Sequence, residues 1–327
     1  MMKINSQAFQ NKELKTAVLF IVFNRPDTTK QVFEAIRVAK PPRLYIAADG
    51  PRANYTGDLE KVAMVRKIAT SVDWLCEVKT LFREDNLGCK HAVSGGINWF
   101  FENEEQGIIL EDDCLPSKSF FWFCEDLLNK YKYEDRVMHI AGMTYEEKTD
   151  NIDNYSYHFC KVGGIWGWAS WRRAWIKYEL EMNSYDQAIK DNIFDNLFYK
   201  SPKIKNFYLD MFRQASGNTY TWDYQWTFTK TINNSINIMP AKNLVKNIGF
   251  NHKDAAHTTS KQKKYLDMKL NELQFPLKHL RFIVVDEKFN YKNFMYVYDS
   301  SLKNKLIRIL RLIIPKYIVK LIKKTKK

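Results

Sequence analysis

The chain has 327 residues, 45% hydrophobic and 15% aromatic, which is room for one large core or two smaller ones. Its formal charge is +14, but residues 301–327 hold ten Lys or Arg and no acid, so the other 300 residues carry only +4. Charge confined to a tail argues against a nucleic-acid-binding body, and five scattered cysteines without a Cys-x-x-Cys pair argue against a disulfide framework or zinc site.

Residues 1–15 are polar and read as loose. The apolar run 16–23 is too short to span a membrane and lacks a small-residue cleavage site, so it reads as a first buried strand. Asn24-Arg25-Pro26-Asp27 turns the chain into a helix over about 29–37. A second strand, 43–48, ends at Asp49-Gly50-Pro51; helical spacing follows over 58–72, and a third strand over 77–82. The next helix covers about 89–103. Gly107-Ile108-Ile109-Leu110 then runs straight into Glu111-Asp112-Asp113. Strands alternating with helices over these 113 residues predict a parallel, doubly wound sheet. Beyond it, 114–132 reads as helix, 137–143 as strand, and Gly163 to Trp171 as a glycine–aromatic loop entering a helix. A second Trp-rich stretch, Thr221-Trp222-Asp223-Tyr224-Gln225-Trp226, precedes a loop over 247–260.

The acidic triplet is the most informative feature. Three carboxylates at the tip of a buried strand repel one another and lose hydration unless a cation neutralises them. Ligands sit at this edge of open α/β sheets, and hard oxygen donors suit a divalent cation that itself holds phosphate. Solvated turn acids would give the same triplet. Asp49, at the same edge, suits a ribose or base hydrogen bond or an ordinary Asp-Gly turn. Arg25 suits phosphate or a plain surface role. His91 opens a helix, either facing a nucleotide or solvent. Gly164 and Trp166 suit a sugar-binding loop or a tight turn with core aromatics. Asp223, among aromatics, is a general-base candidate or a helix N-terminal acid. His257 is a metal or phosphate contact or a surface residue. No G-x-G-x-x-G follows the first strand and no P-loop motif occurs, so a diphosphate would be held by metal and side chains. In the tail, Leu302, Leu306, Ile309, Leu310 and Ile313 keep helical spacing among basic residues. This predicts a basic amphipathic helix on an anionic membrane surface, the alternative being a helix docked on the domain with a disordered Lys tail.

The order Asn-Arg-Pro, Asp49-Gly50, Lys90-His91, Glu111-Asp112-Asp113, Gly-Gly-Ile-Trp-Gly-Trp, Trp222-Asp223, then Gly249-Phe250 to His257 resembles the GT-A glycosyltransferases over about residues 16–260. The likeness is nearest to N-acetylglucosaminyltransferase I and the bacterial family 2-like enzymes similar to it. It implies a Rossmann-like GT-A mixed sheet flanked by helices, with a C-terminal extension over 261–300 and the basic tail after it. It also implies a nucleotide-diphospho-sugar donor, a UDP-sugar being favoured, with Mn2+ or Mg2+. Asp113 would hold the metal, with His257 as a possible second ligand. Asp112 would contact ribose or metal-bound water, and Glu111 the sugar hydroxyls. Arg25, Asp49 and His91 would surround the nucleotide, Trp222 would pack on the sugar with Gly164 and Trp166 nearby, and Asp223 would be the base of an inverting transfer. The acceptor would be a glycan or lipid-linked glycan, at the inner face of a membrane in the cytoplasm, with no nucleic-acid partner. A sugar nucleotidyltransferase and a membrane-peripheral scaffold without catalysis are the alternatives.

Overall fold

Five apolar residues in a row, Val18–Val22, leave no polar face for water, and all five are buried as strand β1. Such runs belong in sheets covered on both faces. The computed structural model describes residues 13–145, 155–217, 220–250, 265 and 267–296. After β1 come α1 (Pro26–Ala39), β2 (Arg43–Ala48), α2 (Asp58–Ala69), β3 (Glu77–Phe82), α3 (Gly88–Asn103) and β4 (Gln106–Glu111). Pro26 sits in the first turn of α1, where its fixed φ suits the helix and its missing N–H is not needed. Val32, Phe33 and Ile36 then bury one face of that helix.

The second half adds β5 (Cys114–Pro116), α4 (Lys118–Lys130), β6 (Val137–Ala141), β7 (Tyr157–Cys160), β8 (Trp168–Trp171), α5 (Arg172–Trp175), α6 (Tyr185–Lys190), α7 (Ile193–Leu197), α8 (Pro202–Ser216), α9 (Asp223–Ile232), β9 (Ile236–Pro240) and β10 (Val245–Asn247). Among the described residues the main sheet has eight strands in the order β3-β2-β1-β4-β8-β6-β9-β7. β1 to β4 are mutually parallel. β8 runs antiparallel between β4 and β6, and β7 antiparallel on β9. This is the mixed, helix-flanked, Rossmann-like sheet expected of a GT-A domain.

One face is packed by α1, α2 and α4, through Val32, Phe33, Ile36, Val65, Phe120, Phe121 and Leu127. The other is packed by α3, α5 and α9, through Val93, Ile97, Phe100, Trp175, Trp222 and Trp226.

Two expectations are corrected. The helix expected over 114–132 starts as a strand: β5 pairs antiparallel with β10, and α4 begins only at Lys118. The segment 163–171, expected as loop into helix, ends in β8, whose four residues are all buried, and the helix after it is the four-residue α5.

The 267–296 segment is tied to this body. Glu272 accepts the N–H groups of Lys118 (3.0 Å) and Ser119 (2.7 Å), capping α4 from a distant part of the chain. Leu273 and Leu277 join the core, and Asn290 Oδ1 accepts from the N–H of Lys161 and of Val162. Leu14, in the stretch expected to be loose, is buried, and Glu125 accepts the N–H groups of Lys15 and Thr16. The tail at 301–327 lies outside the described residues.

Candidate active site at the β1–β4 edge

The chain steps outward from β1 to β2 to β3, then crosses back to place β4 on the other flank of β1. The strand order therefore reverses between β1 and β4, the point at which open α/β sheets leave a crevice beyond the carboxyl ends of their strands. Arg25 follows β1 and the acids end β4, so the register Ile21–Glu111 brings them side by side. Arg25 Nη2 donates to Asp112 Oδ1 (2.5 Å) and Nη1 to Asp113 Oδ2 (2.9 Å). The Phe23 N–H donates to Asp112 Oδ2 at 3.1 Å.

Charge at this point is unbalanced. Burial alone would lower the Arg25 pKa, but Asp112 and Asp113 more than offset it and hold the guanidinium charged. Burial pushes Glu111 well above the carboxylate range, with Asp113 and Asp112 adding to it. Burial also raises Asp112, although Arg25 pulls it back. Crowded carboxylates facing one guanidinium create a field that attracts a cation.

Asp223 opens α9 and is half-buried. Its carboxylate lies within electrostatic reach of the triplet and raises Glu111 further. The Cys89 thiol, near the start of α3, shares that field: burial first, then Glu111, Asp223 and Asp113, push it up to about 12. The fold thus gathers Arg25, Glu111, Asp112, Asp113 and Asp223 around one crevice.

The other sequence-predicted residues are placed differently. Asp49 is buried and accepts the N–H groups of Gly50, Leu87 and Gly88 and the side-chain amide of Asn86, each at 3.0 Å. Burial still outweighs these donors and raises its pKa. It staples the turn that leads into α3. His91 is exposed on α3. Trp222 is only 2% exposed and stacks on Trp168, with ring centroids 5.8 Å apart, inside an aromatic core with Trp175 and Trp226. Gly164 is buried with its carbonyl 2.9 Å from His139 Nε2. Trp166 is half-buried, edge-on to Phe250 and Tyr265. His257 lies outside the described residues.

Gly249, quoted from the sequence only as the start of the Gly249-Phe250 stretch and given no role there, gains one at this site. A side-chain carbon there would collide with Asp113 Oδ2 and come within 2.7 Å of Arg25 Nη1. The strand β10 therefore delivers a glycine backbone directly against the acid–guanidinium contact, and the signal was a glycine two residues past an apolar–polar strand end.

The donor set suits a hard divalent cation, since it offers carboxylate oxygens in excess of what Arg25 neutralises. Among the described residues no group of three or more His, Cys, Asp or Glu is disposed to hold a metal by itself. A cation here would take a carboxylate such as Asp113 and complete its shell with phosphate oxygens and water, the usual way magnesium is held.

Fold and site together define a Rossmann-like α/β protein with an acidic, arginine-bridged crevice at its strand switch point. No family model matches the chain, and no curated protein matches it. Among solved structures it is similar to UDP-glucose pyrophosphorylase in complex with UDP-glucose (14% identity, TM-score 0.26), matching 45% of this chain and spanning only 62% of that one. It is also similar to apo UDP-glucose pyrophosphorylase (11%, TM-score 0.37; 72% of this chain, 93% of that one). Mouse xyloside xylosyltransferase 1 in its apo form is a third (8%, TM-score 0.32; 66% and 80%). Likenesses of this size carry no argument about activity, which rests on the site.

Proposed function

We propose that this chain is a metal-dependent glycosyltransferase that moves a sugar from a nucleotide-diphospho-sugar to a hydroxyl of a glycan or lipid-linked glycan acceptor, with inversion. A UDP-sugar is the favoured donor. The observation that supports this most is the Arg25–Asp112–Asp113 contact at the β1–β4 switch point, with Glu111 and Asp223 sharing its field. Asp113 would hold Mn2+ or Mg2+, and that cation would neutralise charge on the departing diphosphate. Arg25 orients Asp112 and Asp113 through its two terminal nitrogens. Asp223, at the start of α9, would take the proton of the acceptor hydroxyl as it attacks. Glu111, its pKa raised, is suited to share a proton with a sugar hydroxyl. The basic sequence of 301–327 supports a position against anionic lipid at the cytoplasmic face of a membrane.

The test is thermal stabilisation of the full chain by UDP, GDP, CDP and dTDP, each with and without Mn2+. A ligand at a hundredfold excess over its dissociation constant adds about 2.7 kcal/mol to the folded state. One nucleotide should stabilise the chain in a metal-dependent way, and Asp113→Ala should lose that dependence. Asp223→Asn should keep the stabilisation while losing sugar transfer. No stabilisation by any of the four would sink the nucleotide-sugar reading.

A further inference from the structure

The crevice brings four carboxylates, Glu111, Asp112, Asp113 and Asp223, against the one guanidinium of Arg25, whose two terminal nitrogens are committed to Asp112 and Asp113. Burial holds Glu111 toward its neutral form, so one divalent cation balances the remaining acids and Arg25, and the charge of an entering diphosphate is left over. The charge of the phosphates themselves then calls for a further cationic side chain beside the crevice.

Lys90 meets the requirement. It directly follows Cys89, whose thiol lies in the field of Glu111, Asp223, Asp113 and Arg25. The first turn of α3 therefore lies within electrostatic reach of those acids. The Lys90 side chain is only 8% exposed, and its Nζ lies 3.0 Å from Glu181 Oε1. Glu181 belongs to the loop between α5 and α6 and its side chain is 60% exposed. That loop flanks the same site: Tyr178 donates to the Trp222 carbonyl at 3.0 Å, and its phenol feels both Asp223 and Glu181.

The pair is asymmetric. The ammonium has given up its water, whereas the carboxylate has kept most of its own. An ion pair with a wet partner contributes little, about 0–1 kcal/mol. Charge-assisted contacts to phosphate oxygens are stronger, and a phosphate held by a neighbouring metal would be delivered at high local concentration.

Resting on the nucleotide-sugar reading above, we propose that Lys90 is a diphosphate-binding residue of this site, held by Glu181 in the empty protein and handed over when a nucleoside diphosphate enters. The exchange leaves Glu181 to water and replaces one anionic partner of Lys90 by another, so no charge is left buried and unpaired.

The test is calorimetric titration of the full chain, in Mn2+, with UDP, GDP, CDP and dTDP and with the matching free nucleosides. Lys90→Met should weaken the preferred diphosphate roughly 10–100-fold while leaving its nucleoside within about twofold, since loss of one charge-assisted contact removes about 1.5–3 kcal/mol. Glu181→Gln, at an exposed side chain whose amide oxygen still accepts from Lys90, should tighten the diphosphate by a few fold and leave the nucleoside unchanged, because it removes the charged competitor. Equal diphosphate affinity in wild type and Lys90→Met, or equal loss of diphosphate and nucleoside, overturns the assignment. So does weakened diphosphate binding in Glu181→Gln, which covers the case of a Lys90→Met protein that does not fold. No binding of any diphosphate by the wild type overturns the nucleotide reading itself and this inference with it, whereas tight binding indifferent to both variants overturns this inference alone.

Discussion

Replacing Lys230 by Met should raise stability, by an amount that falls as pH rises. Lys230 lies on α9 with its Nζ buried and without a hydrogen-bond partner, 5.7 Å from the centre of the Trp226 ring. Burial pulls its pKa from 10.5 to about 7, against the opposing pull of Cys160 and Asp223. In the unfolded chain the amine stays protonated up to about 10.5. Between pH 7 and 10.5 the unfolded state therefore binds more protons, so stability rises with pH across that window. Below pH 7 both states are charged and the folded state bears the whole cost. At 1.36 kcal/mol per unit this is about 5 kcal/mol. Met fills the space of the stem and forfeits the cation–π contact, about 2 kcal/mol when desolvated. The net gain is about 3 kcal/mol, or roughly 5–10 °C in Tm for a chain of this size. Fluorimetric melts of both proteins from pH 6 to 10.5 read it directly. Lys230→Met should melt higher at pH 6.5, and the gap should close and then reverse slightly as the amine loses its proton in both states. A variant that melts lower at pH 6.5, or a gap indifferent to pH, refutes the account of Lys230 as a buried cation.

Three further outcomes are expected. Gly249→Ala places a carbon against Asp113 and Arg25, so metal-dependent nucleotide stabilisation should weaken at least tenfold in apparent affinity, with a loss of about 1–3 kcal/mol from the ligand-free fold as those neighbours give way. Asp58 accepts from Arg52 Nε and Nη2 and from Asn24, and the Arg52 contact above all lowers its pKa to about 2. Its contribution is present above the ordinary value of 3.8 and lost as pH falls toward 2. Asp58→Asn should cost about 1–3 kcal/mol at pH 7, and urea titrations should show that difference vanishing between pH 4 and 2. Glu125 Oε2 accepts from Lys15 N–H (2.6 Å), Thr16 N–H (2.9 Å) and the Thr16 hydroxyl (3.0 Å). Glu125→Gln should speed hydrogen exchange at the Thr16 amide about tenfold or more, with a loss of about 1–2 kcal/mol; unchanged exchange would show the carboxylate to be dispensable there.

What the sequence conveyed, and what it withheld, follows from range. The strands at Val18, Arg43, Glu77 and Ile108 were legible because covered parallel strands are written as short apolar runs between helices. Trp168–Trp171 was not, because glycines and indoles leave no alternation. Only its pairing with Ile108, Ile109 and Ile140 makes it a strand. The three-residue β5 vanished inside an apolar stretch that α4 dominates. In the site, Arg25, Glu111, Asp112 and Asp113 were legible because the ends of parallel strands converge by topology. The use of Asp49 was not: whether its oxygens face a ligand or the Asn86-Leu87-Gly88 turn depends on a loop 37 or more residues away. Trp222 was read as a surface for sugar because a sequence does not distinguish an indole facing a cleft from one stacked on Trp168. The burial of Lys90 likewise depends on elements far along the chain.

The place of β8 in the sheet bears on how the protein is made. On a ribosome, β1 to β4 emerge within the first 111 residues and can pair at once, with α1 to α3 to cover them. The partner that closes the far flank of β4 is β8, synthesised about sixty residues later, at some 5–20 residues per second. For several seconds the strand that bears the acids is therefore a bare apolar edge, able to recruit another nascent chain. Slower translation between codons 112 and 171 should raise the aggregated fraction. A holding chaperone should act on chains arrested once β4 has cleared the exit tunnel and lose its grip on those arrested far enough beyond 171 for β8 to clear it too.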